Sequence, residues 1–273
     1  MMNNKLNIMV GFPNTGKTTF IAALWEYLKN VQNKCFELDH FPSNREYLEQ
    51  LVESWLQCEP VARTISGKYE KINFTVKTTN GQCFDIVIPD ISGETYNQIF
   101  LNREIEKNLF SNLSEANGLI VFINSQLEDV SSHNRFSVID SLEVTESNSS
   151  KFPPFSAIGT PLRIQLVDIL QSILDINKND LKVAIVISAW DLIEDNITPR
   201  DWVQKNISFL YNFIQHNFIN HRYFGISAQG GDYSDKKNEL LLMDSPIERI
   251  RVFDDKECSN DITLPLQYLI IES

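Results

Sequence analysis

Residues 11–20 read GFPNTGKTTF, and the first eight of them fit the pattern Gly-x-x-x-x-Gly-Lys-Thr. Glycines at positions 11 and 16 allow the backbone to adopt positive φ and to approach a bound group closely. Such a loop directs its N–H groups at phosphate oxygens, at the positive end of the helix that follows. Lys17 is then expected to reach the β- and γ-phosphates of a nucleotide, and the Thr18 hydroxyl to ligate Mg²⁺. The predicted phosphate contacts are Gly11, Asn14, Thr15, Gly16, Lys17, Thr18 and Thr19.

The residues on either side of this loop have the periodicities that the motif requires. Residues 5–10, KLNIMV, form a short apolar run that is typical of a buried strand. Residues 17–30, KTTFIAALWEYLKN, place Phe20, Leu24, Tyr27 and Leu28 on one face of a helix. Strand, glycine loop and helix in this order predict a true phosphate loop.

Composition limits the classes of function that fit this sequence. The chain has 273 residues, an apolar fraction of 42% and a net charge of −12 at pH 7. The apolar fraction is ample for a core, and the negative charge argues against binding to nucleic-acid backbones or to anionic lipid. The four cysteines are scattered, which predicts reduced thiols rather than disulfides or a zinc site. We recognise no signal peptide and no membrane-spanning run, so we expect a cytoplasmic protein.

Strand-like and helix-like segments alternate along the chain. They predict a three-layer α/β fold with a mostly parallel central sheet and helices on both faces. Asn80-Gly81 predicts a hairpin, and further core strands are expected within 116–125, 181–192 and 223–231. Helices are expected after Thr160-Pro161, over 198–218 with Thr198 as N-cap, and at the end of the chain with Asp261 as N-cap. RIRVF, at 249–253, is predicted to be an edge strand.

We predict one domain over residues 1–273 with three inserts, at 34–60, 126–159 and 230–260. The first contains an amphipathic helix, whose apolar stripe is formed by Tyr47, Leu48, Leu51, Val52 and Trp55. This helix either packs on the body of the domain or forms a mobile cover over the nucleotide. The second insert is rich in Ser and Asn and is predicted to be a polar loop.

A nucleotide site of this type needs a second acidic group to hold Mg²⁺ beside Thr18. Asp90 ends the apolar run FDIVIPD, where its carboxylate is expected to do so. Asp90 and Gly93, in DISGE, have the Asp-x-x-Gly spacing that GTPases use, in which the glycine amide bonds the γ-phosphate. Many ATPases carry a glutamate directly after the strand aspartate, where this chain has Ile91.

The identity of the base is predicted from the ends of two strands. Asp191 is predicted to end the strand VAIVISAWD, and a carboxylate there can accept hydrogen bonds from both N1–H and the exocyclic amine of guanine. Adenine offers neither donor and would leave the carboxylate unpaired, so it is expected to be rejected. SAWD (188–191) is similar to the Asn-Lys-x-Asp guanine motif, with Ser188 for the Asn and Ala189 for the Lys. Ser227 and Ala228 lie in ISAQ (226–229), which is similar to the Ser-Ala-x loop whose backbone contacts the guanine carbonyl.

The chain resembles the Ras-like, translation-factor-related class of P-loop GTPases over residues 5 to 229, through GFPNTGKT, RT at 63–64, DISGE, SAWD and ISAQ. Its tail, RIRVF followed by DITLPLQYL, and the altered guanine motif are most similar to the bacterial double-GTPase families.

The resemblance implies roles for residues between the first helix and the hairpin, and for Glu94. Thr64 is the candidate for the switch threonine that meets Mg²⁺ and the γ-phosphate, with Ser66 as the alternative. Arg63 precedes it, as the cis arginine finger does in the alpha subunits of heterotrimeric G proteins; the alternative is a surface arginine. Glu94 stands where Ras-like proteins carry the glutamine that positions water, which implies slow or partner-dependent hydrolysis.

As a whole, the resemblance implies a Mg²⁺-dependent protein that binds GTP and GDP and hydrolyses GTP slowly. It further implies a switch read by an effector or activating protein, in bacterial conflict or defence systems, and leaves the oligomeric state open, including a nucleotide-dependent dimer. Two alternatives remain. An ATP-using phosphotransferase needs arginines in a lid, and residues 126–154 supply only Arg135 and Lys151. A non-hydrolysing module would keep the nucleotide as a structural ligand, which Glu94 and the altered SAWD favour.

Overall fold

The computed structural model describes residues 5–31, 35–40, 45–60, 71–89, 99–126, 160–177, 180–193, 196–243, 245–255 and 257–271. Most of the predicted polar loop at 126–159 lies outside these residues. Within them, no helix has the length and the apolar character that crossing a membrane requires. All four cysteines carry free thiols.

Within the described residues, nine strands form one sheet at the centre of the structure. The strands are β1 Lys5–Val10, β2 Phe36–His40, β3 Lys71–Thr78, β4 Cys83–Pro89, β5 Gly118–Asn124, β6 Lys182–Ser188, β7 His221–Ser227, β8 Arg251–Phe253 and β9 Cys258–Ser259. Their order across the sheet is β2-β3-β4-β1-β5-β6-β7-β8-β9. The five central strands, β4, β1, β5, β6 and β7, are parallel. Two further strands lie on each side, β2 and β3 on one and β8 and β9 on the other, and they pair antiparallel. The predicted α/β class with a mostly parallel sheet is confirmed.

Helices cover both faces of this sheet. They are α1 Lys17–Asn30, α2 Arg45–Leu56, α3 Lys107–Glu115, α4 Leu162–Ile176, α5 Pro199–Asn206, α6 Ser208–Asn217, α7 Tyr233–Leu241 and α8 Leu264–Ile270. Two 3-10 turns, Trp190–Leu192 and Pro246–Arg249, follow β6 and precede β8. One hydrophobic cluster joins α1, α2 and α8 to the sheet, and a second joins α3, α4, α5 and α6 to it.

The central strands feed both clusters because successive side chains of a strand point to opposite faces. In β5, Ile120 and Phe122 belong to the first cluster, whereas Leu119, Val121 and Ile123 belong to the second. A strand that is covered on both faces therefore has a continuous run of apolar residues. Because β5, β6 and β7 have such runs, they could be predicted from the sequence.

The predicted hairpin and the predicted extra helix are both present. Asn80-Gly81 lies in the turn between β3 and β4, and Gly81 has a φ of 86° there. In α2, the side chains of the predicted apolar stripe are buried in the same cluster as α1. The helix therefore packs on the body of the domain, as the first of the two alternatives states.

Four details of the sequence-based description are wrong. The predicted helix over 198–218 is divided at Ile207, whose φ of −134° and ψ of 52° end α5 before α6 begins. β8 is not an edge strand, because β9 pairs with it on the outer side. The N-cap of α8 is Thr263, not Asp261, although the Asp261 carboxylate accepts a hydrogen bond of 2.9 Å from the Thr263 N–H. Finally, β6 ends at Ser188, so Asp191 lies in the following turn rather than at the strand end.

Four of the strands and α-helices were not predicted: β2, α3, α7 and β9. β2 pairs antiparallel with β3 at one edge of the sheet, and its register shifts between Leu38 and His40, which marks a β-bulge. α3 buries only two of its side chains, Leu109 and Leu113, against the second cluster.

Candidate functional site

The glycine loop connects β1 to α1 and takes the backbone conformation that its sequence predicts. Gly16 is the N-cap of α1 and has a φ of 78° and a ψ of 5°, in the left-handed region. A Cβ atom built on Gly16 would lie 2.9 Å from the Ser188 Cβ, too close for any side chain at this position. The phosphate loop is therefore in direct contact with the end of β6.

Gly11 places the start of the loop against the neighbouring strand β5. A Cβ atom at Gly11 would lie 2.8 Å from both the Cβ and the carbonyl oxygen of Phe122. Glycine is required here for close packing of two backbones. Asn14, at the turn of the loop, has a φ of 63°, which asparagine tolerates better than most residues.

Lys17 folds back over the loop. Its Nζ donates hydrogen bonds to the carbonyl oxygens of Gly11 at 2.5 Å and of Phe12 at 2.8 Å. The Thr15 hydroxyl donates to the same Phe12 carbonyl at 2.8 Å and lies 3.3 Å from the Lys17 Nζ. The ammonium group is thus held at the mouth of the loop, where it can exchange carbonyl oxygens for those of a phosphate.

Two polar residues at the end of β5 tie the loop to β6, and the sequence analysis missed both. The Asn124 Nδ2 donates to the Asn14 carbonyl oxygen at 3.0 Å. The Ser125 N–H and hydroxyl donate to the carbonyl oxygens of Ser188 and Ala189, at 3.1 Å and 2.8 Å. Their signal in the sequence is their position, because polar residues directly after a buried parallel strand lie at the edge where the other strand ends meet.

SAWD forms the turn after β6, and its four residues have different environments. Ala189 has a φ of 52° and a ψ of 43°, a left-handed conformation that reverses the chain. Trp190 is buried in the second cluster and contacts Trp202 and Phe253, with ring centroids 6.3 Å away in both cases. Asp191 is exposed in the same turn. The tryptophan therefore anchors the turn in the core while the carboxylate remains at the surface.

The loop after β7 is fixed from two sides. The Ser227 hydroxyl is buried and accepts a hydrogen bond of 3.1 Å from the Gly230 N–H. The Ala228 carbonyl oxygen accepts one of 2.9 Å from the indole Nε1 of Trp55, in α2. Trp55 was predicted as part of the apolar stripe of α2, and this contact was not predicted.

These segments share one edge of the sheet, because the carboxyl ends of parallel strands lie together. All the described residues predicted to bind phosphate or the base lie at this edge. The phosphate-binding residues are Gly11, Asn14, Thr15, Gly16, Lys17, Thr18 and Thr19, and the base-binding residues are Asp191, Ser227 and Ala228. The remaining predicted site residues, Arg63, Thr64, Asp90, Gly93 and Glu94, and the alternative Ser66, lie outside the described residues.

The described part of the site fits a nucleotide phosphate with Mg²⁺. Gly11 and Gly16 pack closely against Phe122 and Ser188, and Gly16 precedes a helix of 14 residues, whose N-terminus favours an anion. Among the described residues, no group of three or more His, Cys, Asp or Glu side chains could hold a metal. Mg²⁺ at such sites usually takes only one or two carboxylates together with phosphate oxygens and water, so Thr18 in the first turn is a suitable ligand.

Comparison with known sequences finds one family. The model of the family described as Double-GTPase 1 matches residues 8–269. No curated protein matches this chain.

Comparison with solved structures finds GTP-binding folds at low identity. The GTPase-like domain of Ski7 from S. cerevisiae, bound to GDP and inorganic phosphate, is 16% identical with a TM-score of 0.43, and the match covers 83% of this chain and 43% of that one. Elongation factor SelB from Methanococcus maripaludis, with the GTP analogue GppNHp, is 14% identical with a TM-score of 0.39, over 87% of this chain and 33% of that one. The mammalian SRP receptor is 14% identical with a TM-score of 0.40, over 87% and 98%. The match thus spans less than half of the Ski7 and SelB chains.

Proposed function

This chain belongs to the Double-GTPase 1 family, and on that premise we propose that it binds GTP and GDP with Mg²⁺ and hydrolyses GTP slowly. Its output is a nucleotide-dependent change that an effector or activating protein reads. The proposal extends to the bacterial conflict or defence systems that the family resemblance implies, and to a cytoplasmic location.

The observation that carries this proposal is the contact between Gly16 and Ser188, where a Cβ on the glycine would lie 2.9 Å from the serine Cβ. It joins the phosphate loop to the turn that holds Asp191. A guanine nucleotide needs one segment at this edge of the sheet to bind its phosphates and another to bind its base. The two candidate segments, the phosphate loop and the SAWD turn, are in contact at Gly16 and Ser188. Trp190 is buried, and the Asp191 carboxylate is the charged group of this turn that is exposed for the base.

The phosphate end of the proposed site relies on charge and on backbone N–H groups. Lys17 gives up its bonds to the Gly11 and Phe12 carbonyls and takes β- and γ-phosphate oxygens instead. Thr18, Thr64 and Asp90 would hold Mg²⁺ together with phosphate and water oxygens, and the bound ion would supply positive charge beside the phosphates. The proposed contribution of Gly93 is its amide, which donates to the γ-phosphate.

The base end is proposed to read guanine through two kinds of contact. The Asp191 carboxylate accepts from N1–H and the exocyclic amine, and the backbone N–H of Ala228 donates to the base carbonyl. Adenine reverses the polarity of the first contact, because its N1 is an acceptor, and lacks the 2-amino group. Losing bonds to a charged group costs about 1.5–3 kcal/mol each, so the two together exclude adenine nucleotides effectively.

A calorimetric titration tests nucleotide choice directly. Nucleotide-free protein is titrated with a non-hydrolysable GTP analogue and then with the matching ATP analogue, at fixed Mg²⁺. We expect tight binding of the first and weak binding of the second, and loss of this preference in Asp191→Asn. Asp175→Asn is the matched control, because Asp175 is exposed near the end of α4, at the opposite edge of the sheet. Equal affinities in the parent protein would reject the guanine site.

Hydrolysis is tested by single-turnover measurements. We propose that Arg63 acts in cis as an arginine finger, so Arg63→Ala slows hydrolysis, by about two orders of magnitude if it matches known cis arginines. We propose that Glu94 orients water, so Glu94→Gln changes the rate while nucleotide affinity stays constant. Turnover that persists in Lys17→Ala would mean that the activity comes from a contaminant. Absence of turnover in the parent protein, with or without a partner, would leave a non-hydrolysing module.

The switch is tested by hydrogen exchange in the GDP-bound and GTP-analogue-bound states. We expect the two states to differ over 61–70 and 90–98, the segments that contain the proposed switch residues. Identical exchange in both states would reject a switch, while leaving nucleotide binding intact.

A further inference from the structure

The inserted helix α2 is joined to the loop after β7 by a buried polar cluster. Trp55 is fully buried, and its indole Nε1 donates to the Ala228 carbonyl oxygen at 2.9 Å. The two residues are 173 positions apart. The bond crosses from an element that precedes the hairpin to the loop proposed to bind the base.

Arg249 contacts both the Trp55 ring and the end of α2. Its side chain is 2% exposed, and its guanidinium lies 4.7 Å from the centre of the Trp55 ring. It donates to the carbonyl oxygens of Trp55 at 3.1 Å and of Leu56 at 3.2 Å, which are the last carbonyls of α2. The Trp55 carbonyl oxygen also accepts a hydrogen bond of 3.2 Å from the Cys58 N–H, and a cation at the carboxyl end of a helix is favourable. Arg249 thereby fixes the end of α2 that carries Trp55.

The same arginine also supports the loop directly. Gly230 has a φ of 88°, and a Cβ atom on it would lie 2.7 Å from the Arg249 carbonyl oxygen. The backbone of Arg249 and the indole of Trp55 thus contact the loop at two points, Gly230 and Ala228. Within the loop itself, the hydrogen bond from the Gly230 N–H to the Ser227 hydroxyl further stabilises the loop conformation.

From these contacts we propose that Trp55 and Arg249 are positioning residues for the base: by fixing the Ala228 carbonyl oxygen, they hold the backbone at this residue so that its N–H is oriented to read the guanine carbonyl. The inference rests on the proposed guanine-nucleotide function. Neither residue touches the nucleotide; each acts through the loop. By linkage, a nucleotide that orders this loop also stabilises the docking of α2, and α2 belongs to the site although it lies outside the phosphate loop.

Substitution of Trp55→Phe tests the role of the indole N–H. The phenyl ring fills most of the indole space but leaves the Ala228 carbonyl without its donor. We expect affinity for GDP to fall about tenfold, the value of one buried hydrogen bond. We also expect a smaller preference for GDP over 6-thio-GDP, whose sulfur replaces the carbonyl oxygen. The preference for GDP over IDP, which lacks only the exocyclic amine read by Asp191, stays at its original value.

Trp25→Phe is the matched control. Trp25 is buried in the same cluster and packs edge-on against Phe74, in α1 and β3. Trp25→Phe makes the same change of side chain in the same cluster, next to β3, so it measures the effect of lost packing. If Trp55→Phe and Trp25→Phe give the same ratio of GDP to 6-thio-GDP affinity, the positioning role is wrong.

A measurement on the unaltered protein decides the question if Trp55→Phe does not fold. Addition of GDP is expected to slow hydrogen exchange over 48–56 in α2 more than over 208–217 in α6, which lies on the other face of the sheet and reports global stabilisation. Equal slowing in both helices would overturn the inference. If the protein binds no guanine nucleotide, the proposed function and this inference fail together, whereas guanine binding without protection of α2 removes the inference alone.

Discussion

Gly225→Ala is expected to weaken guanine binding from a position inside the core. Gly225 lies in β7, and the indole of Trp190 covers it. A Cβ atom there would lie 2.3 Å from Cδ2 of the indole, whereas ordinary contact begins at 3.4 Å. The ring must therefore retreat by 1.1 Å, the difference between these distances. Trp202 and Phe253 pack against the same ring and limit its other movements.

The movement of the ring changes both stability and the base site. Overpacking of a core by one methyl group costs about 1–3 kcal/mol of unfolding free energy. Because Trp190 and Asp191 share one 3-10 turn, we expect the carboxylate to move with the ring by about 1 Å, which is enough to break a hydrogen bond of about 2.8 Å. Loss of one bond to a charged group, about 1.5–3 kcal/mol, corresponds to a loss of affinity of at least about tenfold.

The assay is competition of GDP and ADP against a fluorescent nucleotide, with urea denaturation of the same samples. We expect GDP affinity to fall at least tenfold in Gly225→Ala, with ADP affinity unchanged, since ADP uses the phosphate loop and not Asp191. The double variant Trp190→Leu with Gly225→Ala removes the steric conflict and is expected to be more stable than the sum of the single changes predicts. A less stable Gly225→Ala protein with the original ratio of GDP to ADP affinity would refute the coupling of ring and carboxylate.

Three further predictions follow from single positions. Gly16→Ala is expected to lower the unfolding free energy by about 1–2 kcal/mol, because a φ of 78° is unfavourable for alanine and the new Cβ collides with Ser188. The same substitution is expected to weaken GDP binding in the calorimetric assay. Thr198→Ala removes the N-cap bond to the Asp201 N–H and is expected to cost about 1 kcal/mol in urea denaturation without changing GDP affinity; an affinity loss would contradict this. Burial raises the pKa of Tyr223 to about 12. The unfolded state, with a tyrosine pKa of about 10, then loses this proton first, so stability falls from pH 10 to 12 by up to about 1.4 kcal/mol per unit, and Tyr223→Phe should reduce that slope.

The sequence predicted those parts of the fold in which a single local rule decides. β5, β6 and β7 are continuous apolar runs because both of their faces are covered, and Asn80-Gly81 has few alternatives to a hairpin turn. β2 was missed because FELDH is short and half polar, and only its pairing with β3 makes it a strand. The break at Ile207 has neither glycine nor proline at its centre, so packing of α5 and α6 against the second cluster decides it.

The same distinction applies to the site. The phosphate loop was predictable, since backbone conformation, close packing and charge all require particular residue types at fixed spacing. The bond from Trp55 to Ala228 was not, because an indole on an apolar stripe looks the same whether or not its N–H has a partner. Asn124 and Ser125 are an intermediate case. Their positions after a predicted strand could be inferred from the sequence, but their hydrogen-bond partners could not.

The two outermost strands have a consequence for self-association. β9 has only two residues, and β2 carries a bulge between Leu38 and His40. Short or bulged border strands offer few aligned N–H and C=O groups to a neighbouring chain, and proteins use both devices against edge-to-edge aggregation. If two molecules of this protein associate, we expect them to meet through helices or loops, and the central sheet to end within each molecule.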